Sequence, residues 1–87
     1  MNYKDHPDYK DPKRYIFGVE GAKQYIIYHE GRMKLHREDG PAYECPEDGT
    51  NYFLYDEIVD PEEVVDLWLM RGIFCYYDKD KKSLIFE

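Results

Sequence analysis

The chain has 87 residues, of which 43% are apolar and 17% aromatic, beside 36% charged. That length excludes a second domain and that apolar content excludes a disordered polymer, so one small domain with an economically used core is expected. A net charge of −7 disfavours direct binding to nucleic acid, whose phosphates would meet an unneutralised acidic face.

The charge is segregated. Residues 38–66 carry eleven acidic side chains (Glu38, Asp39, Glu44, Glu47, Asp48, Asp56, Glu57, Asp60, Glu62, Glu63, Asp66) and no Lys or Arg. Residues 1–37 hold eight basic and five acidic groups (+3), and residues 67–87 hold four and three (+1), so the middle block alone makes the chain acidic.

In chain order, residues 1–12 are polar, contain two prolines and repeat Tyr-Lys-Asp at Tyr3 and Tyr9, which reads as an irregular N-terminal arm. Residues 13–87 read as a single hairpin-rich domain. Short aromatic and β-branched runs follow at Tyr15–Phe17, Tyr25–Tyr28, Tyr52–Tyr55, Phe74–Tyr77 and Leu84–Phe86, punctuated by Gly18, Gly21, Gly31, Gly40 and Gly49. This spacing predicts about five to six antiparallel strands, with Asp48-Gly49 as the sharpest hairpin signal. A weak repeat, Tyr25-Ile-Ile-Tyr-His-Glu30 against Tyr52-Phe-Leu-Tyr-Asp-Glu57, suggests two related hairpins side by side.

One segment has a different period. Asp60-Pro61-Glu62-Glu63 offers an N-cap, a proline at the first helical position and a carboxylate three residues after the cap, and Val64, Leu67, Trp68 and Arg71 follow at helical spacing before Gly72. A helix near residues 61–71 is expected, with Val59 stapled onto Val64, and the fold class is α+β. Here the acidic residues of the first turn serve the cap and the helix dipole.

The run Leu35-His36-Arg37-Glu38-Asp39-Gly40-Pro41-Ala42, followed by Glu47-Asp48-Gly49-Thr50 and an aromatic strand, resembles the "LHREDGPA" hairpin repeat of large bacteriophages and giant viruses. The resemblance runs from about Gly21 to Gly72. It implies a phage origin and a sheet of hairpins ending in an acidic-capped helix; it carries no catalytic role. This chain has no second HREDGPA, and Asp56-Glu57-Ile58 stands where the family has Asn-Gly. Physically, Asp39-Gly40-Pro41 reads as a turn in which Gly40 permits positive φ, with His36 and Arg37 bonding across it to Glu38 or Asp39.

Other chemistry lacks its spacing. His29, His36, Cys45 and Cys75 have no paired short spacing for a metal, and the two cysteines, thirty residues apart without a CxxC, read as reduced core or edge residues of a cytoplasmic protein. Neighbouring carboxylates such as Glu38/Asp39 or Asp56/Glu57 on a strand point to opposite faces, which argues against a hydrolase pair. No phosphate loop occurs, and no apolar run approaches the roughly 18–20 residues of a membrane span. The expectation is a non-enzymatic protein without cofactor or metal.

The acidic block admits two readings. It can be a solvated face that maintains solubility, or a surface whose carboxylates lie within a Debye length of about 8–10 Å of one another and are held ready for a basic partner. The second predicts a small phage-type inhibitor of a host defence protein, such as a CRISPR effector, that mimics nucleic acid. Its partner-binding residues would be Glu38, Asp39, Glu44, Glu47, Asp48, Asp56 and Glu57 for charge, and Tyr43, Tyr52 and Tyr55 as aromatic anchors. Two alternatives stay open: an assembly module pairing through exposed hairpin edges, with a homodimer as one form, and a small-molecule sponge using the tyrosines and His36 to hold a nucleotide messenger.

Overall fold

A computed structural model describes residues 2–17 and 21–87, with Phe17 described by its backbone alone. It is an α+β fold, a plate of 39 × 36 × 20 Å. The main sheet contains β1 (Lys13–Phe17), β2 (Ala22–His29), β3 (Arg32–Leu35), β4 (Tyr43–Cys45), β5 (Gly49–Leu54) and β6 (Glu57–Val59). Its order is β1-β2-β4-β5-β6, and β3 pairs with the same edge of β2 further along the strand. Then come α1 (Pro61–Met70) and a separate hairpin of β7 (Cys75–Asp78) and β8 (Ser83–Phe86). All pairings are antiparallel. The described residues thus form eight strands rather than five or six: β3, β4 and β6 are short, and their few apolar residues give no strand-length run.

The helix begins where the sequence places it. The Glu63 carboxylate accepts the Asp60 N–H at 2.8 Å, Pro61 opens the first turn, and Val59 packs on the cluster that holds Val64. It ends at Met70, one residue early, because Arg71 is the C-cap and Gly72 turns the chain at φ 82°. Val64, Val65 and Trp68 form the buried stripe, and with Tyr52, Ile73, Cys75 and Leu84 they make the core between the main sheet, α1 and β7–β8.

The Asp48-Gly49 signal becomes the β4–β5 hairpin, with Gly49 at φ 92°. The weak repeat becomes two hairpins in one sheet, β2–β3 and β5–β6, each turning through two residues at positive φ: Glu30 and Gly31, then Tyr55 and Asp56. Gly18 of the first glycine turn lies outside the described residues.

The N-terminal arm contains one 3₁₀ turn, Tyr3–Asp5, and returns to the core. The Tyr3 ring stacks on Phe86 at 3.9 Å between centroids and meets Trp68 edge-on at 5.6 Å, while Tyr9 lies 6.0 Å from Trp68. The repeated Tyr-Lys-Asp therefore delivers two rings to one tryptophan.

Candidate functional site

The segment between β3 and β4 closes the gap between β2 and β5 with backbone bonds: His36 N–H to Tyr25 O (3.0 Å), Tyr25 N–H to Ala42 O (2.8 Å), Arg37 N–H to Phe53 O (3.3 Å) and Ala42 N–H to Asn51 O (3.0 Å). Each side chain of His36-Arg37-Glu38-Asp39 then engages a different part of the fold. His36 is fully buried. Its Nδ1 accepts the Tyr55 N–H at 3.0 Å, which leaves the proton on Nε2, where a neutral imidazole donates to Glu38 Oε2 at 2.8 Å.

Glu38 is also fully buried. Arg71, at the end of α1, grips it with two bonds of 3.0 and 3.2 Å, and the Lys10 N–H donates to it at 3.1 Å. Burial by itself pushes this carboxyl up, but bonds from His36 and Arg71 outweigh it and bring the pKa down from 4.5 to about 2. The Trp68 indole N–H donates to the Glu38 carbonyl, and the Arg71 guanidinium sits 4.7 Å from the Trp68 ring centre. Helix, arm, sheet and loop all meet at this one glutamate.

Arg37 organises the second half of the segment. It bonds Asp39 Oδ1 at 2.9 Å, Pro41 O at 3.2 Å and Glu44 Oε1 at 3.4 Å, and it lies 4.1 Å from the centre of the Tyr25 ring. The other Asp39 oxygen accepts the Tyr3 hydroxyl at 3.0 Å. The cross-turn bonds expected of His36 and Arg37 are thus present. Gly40 has a different reason from the expected one: its φ is not positive, but a Cβ there would stand 2.8 Å from Cζ of Arg37, so glycine lets the guanidinium pass.

Glu38 and Tyr52 must be withdrawn from the predicted partner-binding set. Glu38 is interior because Arg71, His36 and the Lys10 amide replace its water, and Tyr52 is interior because it faces α1. Asp39 is largely covered and held by Arg37 and Tyr3, and Glu44 is half-buried between Arg37 and Lys23, the latter 4.0 Å away. Arg37 and Arg71, which flank the acidic block in sequence, therefore reach into it and neutralise three of its members. His36 has both ring nitrogens occupied and is no ligand for a nucleotide messenger.

The remaining predicted residues lie at the surface in several places. Asp56 is exposed, yet its carboxylate accepts the Leu35 N–H at 2.6 Å and its own N–H donates to Leu35 O at 2.9 Å. The Tyr55 ring is partly exposed and packs against the imidazoles of His29 (4.5 Å) and His36 (4.3 Å). Tyr43 is half-buried in β4; Glu47, Asp48 and Glu57 are exposed.

Three of the exposed carboxylates, Asp60, Glu62 and Glu63, stand at the start of α1. A groove of about 350 Å³ runs between Thr50, Asn51, Ile58, Val59, Asp60, Pro61 and Glu63. It runs from Thr50, the residue after Gly49 of the β4–β5 turn, to the first turn of the helix, where Glu62 is also exposed, as is Asp66 one turn further on. Sequence reasoning named this turn but assigned the helix carboxylates to capping alone. Among the described residues, no group of three or more His, Cys, Asp or Glu side chains is gathered to hold a metal, and no helix is long and apolar enough to cross a membrane. No family model matches the chain, and neither a curated protein nor a solved structure matches it.

Proposed function

We propose that this chain is a protein-binding module that sets an acidic surface against a Lys/Arg-rich groove of a nucleic-acid-binding protein. The observation that carries this reading is the division of the acidic block. Glu38, Asp39 and Glu44 are paired inside the molecule, whereas Glu47, Asp48, Asp60, Glu62, Glu63 and Asp66 are exposed, and Asp60 and Glu63 line a groove that runs from Thr50 and Asn51 of β5 to the start of α1. Charges of one sign around a shallow groove repel one another in the free protein and are relieved by a basic partner, which also accelerates encounter. The 350 Å³ groove has room for an aliphatic stem of Lys or Arg over Ile58 and Val59, with Asp60 and Glu63 at its head. The phage resemblance makes a host defence protein the favoured partner, and blocking its nucleic-acid channel is the activity.

The test is capture of a purified basic nucleic-acid-binding target, such as a CRISPR effector, by the immobilised chain at low and high salt. Binding that weakens steeply with salt and is abolished by Glu47→Lys with Asp48→Lys and Glu62→Lys supports the reading. Binding unchanged by that triple charge reversal overturns it.

A further inference from the structure

β1 stops short of the strand it lies on. Its first residue, Lys13, is opposite Ile26, whereas β2 runs on through Ile27, Tyr28 and His29 with β3 along its other edge. Successive residues of a strand turn their backbone groups to opposite edges. The Tyr25 N–H bonds Ala42 and the Tyr25 carbonyl accepts from His36, both on the edge shared by β3 and β4. Ile27 and His29 therefore turn their amides to that same edge, and Ile26 and Tyr28 turn theirs towards β1. Ile26 meets Lys13 there. The place opposite Tyr28 falls to Asp11, but no backbone bond joins the two, because the arm is drawn to the inner side at Lys10, whose N–H is held by Glu38. Among the described residues, the Tyr28 N–H and C=O thus have no partner on this edge.

The gap is a pocket of about 370 Å³, towards the small end of the roughly 300–1,000 Å³ of ligand sites. Its walls come from both sides of the sheet. Ile26, Tyr28 and Met33 share the outer face by register, and Ile27 and Tyr9 close the inner side. Such a slot suits a flat ring lying in the plane of the sheet, with an apolar contact on each face and one edge against the Tyr28 amide. That amide offers a donor and an acceptor side by side, and every nucleobase carries the matching pair on its own edge. Lys10 and Lys13 stand at the border, both exposed and neither in an ion pair among the described residues; Asp11 is the one acid in the lining. In a chain of net charge −7 this is a place where cations outnumber acids and are left without a counter-charge. The acidic groove is remote, since β1 lies at one edge of the sheet and β6, which leads into α1, at the other.

The geometry points to a nucleoside monophosphate as the ligand of this pocket. The base fills the slot and takes the place of the missing strand residue, pairing edge-on with the Tyr28 N–H and C=O. The phosphate rests between Lys10 and Lys13. This site shares no residue with the groove assigned to a basic protein partner, so it adds a small-ligand function to the binding module.

The test is titration of the isotope-labelled full chain with the monophosphates of adenosine, cytidine, guanosine and uridine at up to millimolar concentration, followed by amide proton–nitrogen correlation spectra. At least one of them moves the Tyr28 amide resonance downfield and saturates. Lys13→Glu and Lys10→Glu, both at exposed side chains, each weaken that binding about tenfold with an unchanged circular dichroism spectrum, and Asp11→Asn tightens it. Inorganic phosphate alone leaves the Tyr28 amide in place. A Tyr28 resonance that none of the four monophosphates moves overturns the proposal, as does a Lys13→Glu variant that binds equally well. Inorganic phosphate binding as tightly as the nucleotide overturns the part given to the slot. Glu47→Lys with Asp48→Lys and Glu62→Lys leaves nucleotide binding unweakened, so this site and the acidic contact fail separately.

Discussion

Replacing Glu38 should be the most destructive single change of charge in this protein. Its carboxylate is fully buried and receives two bonds from Arg71, one from His36 and one from the Lys10 amide. Glu38→Ala leaves the largely covered Arg71 guanidinium without its counter-charge and orphans two further donors. Breaking a buried pair from one side costs about 3–5 kcal/mol, a large part of the roughly 5–15 kcal/mol that holds a domain together. At about 4–8 °C per kcal/mol for a chain of this size, the melting temperature falls by more than about 12 °C.

The pH dependence tests the same network without a cavity. The folded pKa of Glu38 lies below its unfolded value, so its contribution is fully present above pH 4.5 and is lost as pH falls towards 2. The displacement from 4.5 to about 2 corresponds to a loss on the order of 3 kcal/mol. Trp68, the only tryptophan and wholly buried against Glu38, reports unfolding by fluorescence in urea. Wild type should lose stability across that window, and Glu38→Gln should start lower and lose less. If the two proteins have the same midpoint at pH 7 and parallel profiles down to pH 2, the network does not hold the fold as argued.

Three further outcomes are expected. Gly40→Ala sets a Cβ against the Arg37 guanidinium at 2.8 Å and should destabilise by about 1–3 kcal/mol in urea, with Arg37→Ala removing most of the additional effect in a double-mutant cycle. Tyr52 has a buried hydroxyl with no hydrogen-bond partner among the described residues, and burial pushes its pKa up to about 12; Tyr52→Phe should be neutral or stabilising by about 1 kcal/mol in the same assay. Cys75 is buried, which raises its thiol pKa, so in the native state it should react with a thiol reagent far more slowly than in urea; equal rates would contradict its burial.

The parts of the fold legible in the sequence are those fixed by local chemistry. Asp60-Pro61-Glu62-Glu63 starts a helix and Asp48-Gly49 turns a hairpin because the decisive interactions span a few residues. The Tyr55-Asp56 turn was not legible, since Asp56 tolerates positive φ but Tyr55 is not a usual occupant of it. It is stabilised from elsewhere, by His36 Nδ1 on the Tyr55 amide, by Leu35 on both ends of Asp56, and by two imidazoles against the Tyr55 ring. β3, β4 and β6 form through neighbours supplied by the rest of the sheet. The candidate site was legible as a stretch of chain and not as a surface, because the pairs Glu38–Arg71 and Tyr3–Asp39 bridge thirty-three and thirty-six residues.

One signal in the sequence could have separated interior acids from surface acids. Arg71 falls on the same helical stripe as Val64 and Trp68, and a cation on a buried stripe requires a buried anion. The helix runs back over the loop between β3 and β4, and Glu38 is the residue there that alternates with His36 towards one side. Once Arg71 takes Glu38, and Arg37 takes Asp39 and Glu44, the cations nearest the acidic block are used inside the molecule. Among the described residues, no ion pair is then left for the carboxylates of the β4–β5 turn and of the exposed side of α1. Removing Arg37 or Arg71 would return negative charge to that region while loosening the fold beneath it. A partner that reads the acidic surface should consequently be sensitive to substitutions in a network it never touches.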